Sequence, residues 1–295
     1  MQIKRWFMGP GGVRAAWRFA AFVALWYGGG YLVFPVLSLF HSFTDTGFTP
    51  GDILAYEVGQ TVLMLLISLL LAGLEKHGPA WFGLSGGRHA LRQFGWGALF
   101  GFGMVTLVLL ACWASGHASF AGFAEQGSGL GSYLLIWLGG MLLVGASEEL
   151  TFRGYALRSL MGGMGFWPAA LLLSLLFGAE HLSKPMENVP DILNIVLLGL
   201  ALSYSVRQTG AIWLAMGFHA AFDFFALSFY GSPNTGNDGL PLEHHILATH
   251  IDGPAWLTGG PQGLEASWLI PPLTLGMCWI IRRFYSQTRF GTEAK

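Results

Sequence analysis

The sequence predicts an all-α, polytopic membrane protein of about eight transmembrane helices with both termini in the cytoplasm. Three observations carry this. Of 295 residues, 53% are hydrophobic and only 11% are charged, where soluble domains carry about 25% charged residues. Mean hydropathy is +0.54. Apolar runs of roughly 17–25 residues, the length needed to cross a bilayer, recur along the chain. The basic residues also alternate by loop. With the N-terminus inside, Lys4, Arg5, Arg14, Arg18, Lys76, Arg88, Arg92, Arg158, Arg207, Arg282, Arg283, Arg289 and Lys295 all fall on the cytoplasmic side, Arg153 is intramembrane, and only Lys184 lies outside. Loops 40–51, 115–130 and 231–266 contain no Lys or Arg. That is the asymmetry that sets topology.

The expected spans follow in order. The first, 15–40, is broken by Gly28-Gly29-Gly30 and Pro35. The preceding Met1-Gln2-Ile3-Lys4-Arg5 resembles a signal n-region, but the run after Arg18 is too long and has no small-residue cleavage site, so it reads as a retained span. The others are 53–74, 94–115, 130–160, 167–182, 192–206, 211–230 and 268–281. Arg88-His89-Ala90-Leu91-Arg92 reads as a surface segment at the cytoplasmic face. The long outer loop, with Pro233, Pro241, Pro254 and Pro261, reads as irregular with at most a short interfacial helix, and its His244, His245 and His250 as solvated. Cys112 and Cys278 fall in apolar runs and read as small buried hydrophobes. The chain divides into N-terminal spans (1–129), a core (130–230), and the outer loop with the final span (231–295), all in one membrane domain.

Ser147-Glu148-Glu149-Leu150-Thr151-Phe152-Arg153 interrupts the fourth run with three charges. Each costs about 2.5–3.5 kcal/mol on insertion scales, so intramembrane charges mark function. Glu149 and Arg153 are four apart and share a helical face, where they can pair. Glu148 lies about 100° around the helix and is left for chemistry. The fifth span ends in Phe177-Gly178-Ala179-Glu180-His181, and the seventh carries His219-Ala220-Ala221-Phe222-Asp223. His219 and Asp223, four apart, share a face, and a carboxylate beside an imidazole orients it. At about 1.5 Å per residue, Glu148, His181 and His219 lie about 21, 27 and 14 Å from their cytoplasmic helix ends, close enough to share one polar cavity. Glu57, early in the second span, is open between a hydrogen-bonded role and a functional one. Glu180 neighbours His181 but points elsewhere on its helix.

A sheltered glutamate, two histidines and an aspartate fit hydrolysis. A carboxylate withdrawn from water is a usable base near neutral pH. Glu148 would take a proton from water, helped by His181, and His219 oriented by Asp223 would stabilise the oxyanion. The alternative is a zinc ion on His181, His219, Asp223 and Glu148. No HExxH motif is present. A metal-free site uses each residue once, so no cofactor is the favoured reading, with Zn2+ as the alternative.

Glu148-Glu149-x-x-x-Arg153, Phe177-x-x-x-His181 and His219-x-x-x-Asp223, in this order on successive spans, resemble the three motifs of the CPBP intramembrane proteases. That family includes the CAAX prenyl proteases and bacteriocin-processing or self-immunity proteins. The resemblance covers roughly residues 133–229. It implies an endopeptidase of glutamic type, or a metalloendopeptidase, with Glu148, His181, His219 and Asp223 at its centre, supported by Glu149, Arg153 and Phe177. CAAX proteases often carry Asn where this chain has Asp223, which sets prenylated substrates in question. The expected location is a bacterial inner membrane. The expected partners are the bilayer and a peptide or membrane-protein substrate, with no nucleic acid. Competing readings are a proton-coupled transporter, which should show an internal repeat that this chain lacks, and a non-catalytic immunity or scaffold protein of the same family.

Overall fold

The computed structural model describes residues 8–9, 12–44, 49–124, 129–182, 189–242, 245–286 and 288–290. Lys4, Arg5, Lys184, His244 and Lys295 lie outside the described residues. Every expected span is occupied by helix. The helices are α1 (Ala15–Leu37), α2 (Pro50–Leu74), α3 (Arg88–Ala114), α4 (Leu130–Arg153), α5 (Tyr155–Met164), α6 (Phe166–His181), α7 (Val189–Thr209), α8 (Trp213–Asp223), the short α9 (Ala255–Thr258) and α10 (Ile270–Phe284). Among the described residues, five stretches are long and apolar enough to cross a membrane by length and composition: Ala15–Leu37, Pro50–Leu74, Arg88–Ala114, Leu130–Met164 and Val189–Thr209. Phe166–His181 and Trp213–Phe229 are shorter apolar helices. This is a polytopic helical membrane protein.

Three elements depart from expectation. The first span is one continuous helix through Gly28–Gly30 and Pro35. Pro35 stands in the last turn, where a missing N–H removes a single bond, and such prolines are tolerated in membrane helices. The fourth span is two helices, broken at Gly154 with φ −81° and ψ −123°. A Cβ there would lie 2.5 Å from the Leu150 carbonyl oxygen, so only glycine permits the bend. The third helix starts earlier than residue 94: Arg88 to Arg92 lie at the surface, as expected, but already form its first turns.

Glycines let the helices approach. In α3, a Cβ on Gly97 would fall 2.0 Å from the Leu214 carbonyl oxygen, and one on Gly101 2.2 Å from that of Phe218. From α8, a Cβ on Gly217 would meet the Phe94 carbonyl oxygen at 2.1 Å. The two backbones are in direct contact, the close packing that small residues allow in membranes. A Cβ on Gly145 of α4 would lie 3.0 Å from the Ala220 nitrogen and the Met216 carbonyl oxygen of α8. Gly178 of α6 faces Val196 and Ile192 of α7. Thr61 of α2 donates to the Leu143 carbonyl of α4 at 3.1 Å.

Basic residues converge at one end of the bundle. Arg18 pairs with Glu75 at 2.7 Å, and Tyr155 donates to the same carboxylate, joining α1, α2 and α5. Arg158 stacks over Trp81 and Phe290, and Arg207 over Phe166 and Trp167. The opposite end is closed by the outer loop, which is compact. Its strand β4 (Leu247–Ile251) pairs antiparallel with β3 (Ala118–Phe123), Ala118 opposite Ile251. A minor pair, β1 (Met8–Gly9) with β2 (Gly12–Val13), lies near the N-terminus. Gly259, Gly260 and Gly263 take φ of +81°, +62° and +83°, turning the chain so that Leu257 and Leu264 bury. Asn194 of α7 donates to the carbonyls of Glu265 and Ser267 at 3.1 and 3.0 Å. His245 Nδ1 donates to the Leu242 carbonyl at 2.8 Å, and His250 stands opposite Ser119 in the β pair.

Candidate active site

The last two turns of α4 present Glu148 and Glu149 in different directions. Glu149 is fully buried, and its Oε1 accepts from Arg153 Nη1 at 2.9 Å, with Arg153 itself only 1% exposed. The guanidinium fits because α7 has glycine opposite it: a Cβ on Gly199 would lie 3.0 Å from Arg153 Nη2. It is also covered by the Phe177 ring, 4.8 Å from Cζ to centroid.

The same Glu149 oxygen reaches α8. His219 Nδ1 lies 3.0 Å from Glu149 Oε1. A carboxylate can only accept, so Nδ1 carries the proton. On the far side of the ring, Nε2 is 3.2 Å from Glu148 Oε2 and 3.5 Å from Asp223 Oδ2. His219 is therefore held between two neighbouring glutamates. Its orientation comes from Glu149 at Nδ1, and Asp223 stands with Glu148 at Nε2. The four-residue spacing correctly places Asp223 beside His219, but on the cavity side of the ring. Directly after Asp223, α8 widens into a π-helical turn, Phe224–Phe229, a distortion common near functional sites.

His181 ends α6. Its Nδ1 donates to the Phe177 carbonyl at 3.0 Å, which makes Nε2 the acceptor of the neutral ring. Its ring packs edge-on to Phe177 at 4.8 Å, and Phe177 in turn lies 6.2 Å from the His219 ring. The structure thus brings Glu148, Glu149, Arg153, His219 and Asp223 into one chain of contacts and links His181 to it through Phe177.

Two cavities meet at this cluster. One, about 280 Å³, is lined by Glu57, Glu148, His181, His219 and Asp223, and by Ser232, Asn234 and Gln262 of the outer loop. The other, about 690 Å³, runs between α1 and the helices α2, α4 and α6. Glu148 is 31% exposed, against 0% for Glu149, so the cavities reach the first carboxylate and not the second. Glu57 and Ser147 belong to the same site. Ser147 Oγ donates to Glu57 Oε2 at 2.6 Å. Glu57 is the lone charge in the apolar run 53–74, and that signal was available in the sequence. Glu180 accepts from the Tyr27 hydroxyl at 2.6 Å, and both line the larger cavity. Among the described residues, no three His, Cys, Asp or Glu side chains are grouped so as to hold a metal ion. Of the four residues of the zinc alternative, His219 Nε2 stands 3.2 Å from Glu148 Oε2 and 3.5 Å from Asp223 Oδ2, and His181 joins them through Phe177.

Residues 130–225 match the family model described as type II CAAX prenyl endopeptidase Rce1-like. All seven motif residues fall inside that segment, and Glu57 falls outside it. The chain is also 31% identical over 116 residues to the uncharacterized protein YyaK of Bacillus subtilis (strain 168). That alignment covers 38% of this chain and 38% of the relative's length.

Proposed function

We propose that this chain is an intramembrane endopeptidase that cleaves membrane-associated peptides or proteins, working within a core of residues 130–230. The observation that carries the reading is Glu148, open to both cavities, against an imidazole fixed from behind by a buried Glu149–Arg153 pair. Glu148 takes the proton of a water, and the hydroxide attacks the peptide carbonyl. His219 Nε2–H, aimed at the cavity by Glu149 and flanked by Asp223, donates to the developing oxyanion. As the C–N bond breaks, the proton taken by Glu148 passes to the leaving amine, relayed by His181 Nε2. No metal enters the scheme. The concentration of basic residues at one end supports placing that end in the cytoplasm; about eight spans with both termini there, in a bacterial inner membrane, complete the proposal. Asp223 sets prenylated substrates in question, while the description of the matching family model keeps them among the candidates.

The test is cleavage of candidate membrane peptides by the purified protein in detergent, beside Glu148→Gln. This variant keeps the shape and removes the base. Its rate should fall about a hundredfold or more, roughly 3 kcal/mol of transition-state stabilisation. Near-normal turnover by a folded Glu148→Gln protein would sink the assignment.

A further inference from the structure

Glu57 belongs to none of the three motifs and lies outside residues 130–225, yet it shares their position. Among the described residues, four side chains line both cavities: Glu148, Phe177, His181 and Glu57. Three are motif residues. Glu57 comes from α2 and is tied through its Oε2 to Ser147, the residue before Glu148. An intramembrane carboxylate is costly, and the motif chemistry assigns it no task.

The larger cavity shows what Glu57 faces. Tyr27 and Tyr31, four apart on α1, line it beside Trp26, and Tyr56 lines it from α2. Among the described residues, no Lys or Arg lines either cavity. A volume of about 690 Å³ is ample for a long side chain with part of its backbone. Aromatic faces attract cations, and more strongly once water is excluded. A carboxylate at the inner end of an aromatic-walled cavity, beside the proposed base, matches a cationic group on the substrate.

We infer that Glu57 sets substrate choice by receiving a Lys or Arg side chain next to the scissile bond, with the aliphatic stem laid along the aromatic wall of the larger cavity. This rests on the endopeptidase reading. Its chemistry is binding only: the ammonium or guanidinium donates to Glu57, and no bond to it forms or breaks.

The experiment uses the full chain in maltoside micelles, which carry no competing amine headgroup. Peptides identical except for Lys, norleucine or Glu at successive positions around the cleaved bond are compared by kcat/KM. At one position Lys should exceed norleucine by about tenfold or more, as expected for a polar site left unpaired by the neutral analogue. Glu57→Gln should bring that ratio close to one, and Glu57→Asp, which keeps the charge, should keep Lys ahead. The inference is overturned by a wild-type enzyme without a Lys or Arg preference, by a ratio unchanged in Glu57→Gln, or by a Glu57→Gln protein that loses every peptide in equal proportion. If the wild-type protein cleaves nothing, the endopeptidase reading falls. The Kd values of the Lys and norleucine peptides for the same protein then decide the subsite: tighter Lys binding supports it, and equal binding refutes it.

Discussion

Glu149→Gln is the change that tests most of the site at once. The side chain keeps its volume and loses its charge. Glu149 Oε1 holds Arg153 at 2.9 Å and His219 at 3.0 Å, and both Glu149 and Arg153 are shut off from water. At 2.9 Å and an effective dielectric of about 20, the attraction to Arg153 is roughly 6 kcal/mol before desolvation. Neutralising one partner of a buried pair strands the other, at a net cost of about 3–5 kcal/mol. That is a large share of the roughly 5–15 kcal/mol by which proteins are stable. The glutamine carbonyl can still accept one bond, but the charge that held both donors is gone. The imidazole then loses the anchor at Nδ1 that aims Nε2–H into the cavity. Losing a charge-assisted bond worth about 1.5–3 kcal/mol should lower kcat/KM about ten- to a hundredfold. The assays are the thermal midpoint and yield in detergent, and peptide cleavage by the fraction that stays folded. A companion, Glu149→Gln with Arg153→Met, removes both charges, so it should regain stability while activity stays lost. Unchanged Tm and unchanged turnover in the single variant would refute the bridging role of Glu149.

His219 and Asp223 should behave as a unit. Asp223→Ala is expected to lose most of what His219→Ala loses, with little more lost in the double variant, because both act at Nε2; additive losses in kcat/KM would separate them. Gly101→Ala puts a methyl 2.2 Å from the Phe218 carbonyl oxygen, so α3 and α8 must part. A cost of about 1–3 kcal/mol is expected, read as a lower Tm together with lost activity as His219 moves. Activity should survive chelation in protein that elemental analysis shows to be metal-poor; about one zinc per chain, with activity lost on chelation and restored by zinc alone, would replace the metal-free mechanism with a zinc one.

The spans and the motif residues were legible because a charge in an apolar run is conspicuous. The Glu149–Arg153 pair was legible because helix periodicity alone brings i and i+4 together. Which carboxylate meets which nitrogen of His219 was not, because it depends on how α8 is rotated against α4. That rotation is set by backbone contacts at Gly97, Gly101, Gly145 and Gly217. The Gly97-x-x-x-Gly101 spacing was a readable sign of close helix packing, but it says nothing of the partner helix. The outer loop was hidden for another reason. Ala118 pairs with Ile251 across the whole of residues 130–230, and no local pattern reports so distant a partner.

Glu57 is the most instructive case. Helix periodicity does not reveal its partner, since Ser147 stands on another helix, so its role follows only once α2 is seated on α4. The motifs name the residues proposed to do the chemistry, while the glycine contacts between helices decide their register. Glu57 lies outside the segment matched to the Rce1-like family, although it lines both cavities. If the walls that select a substrate come from α1 and α2, two chains with the same three motifs can cleave different peptides. The place to look for the difference is then residues 15–74 rather than the motifs themselves.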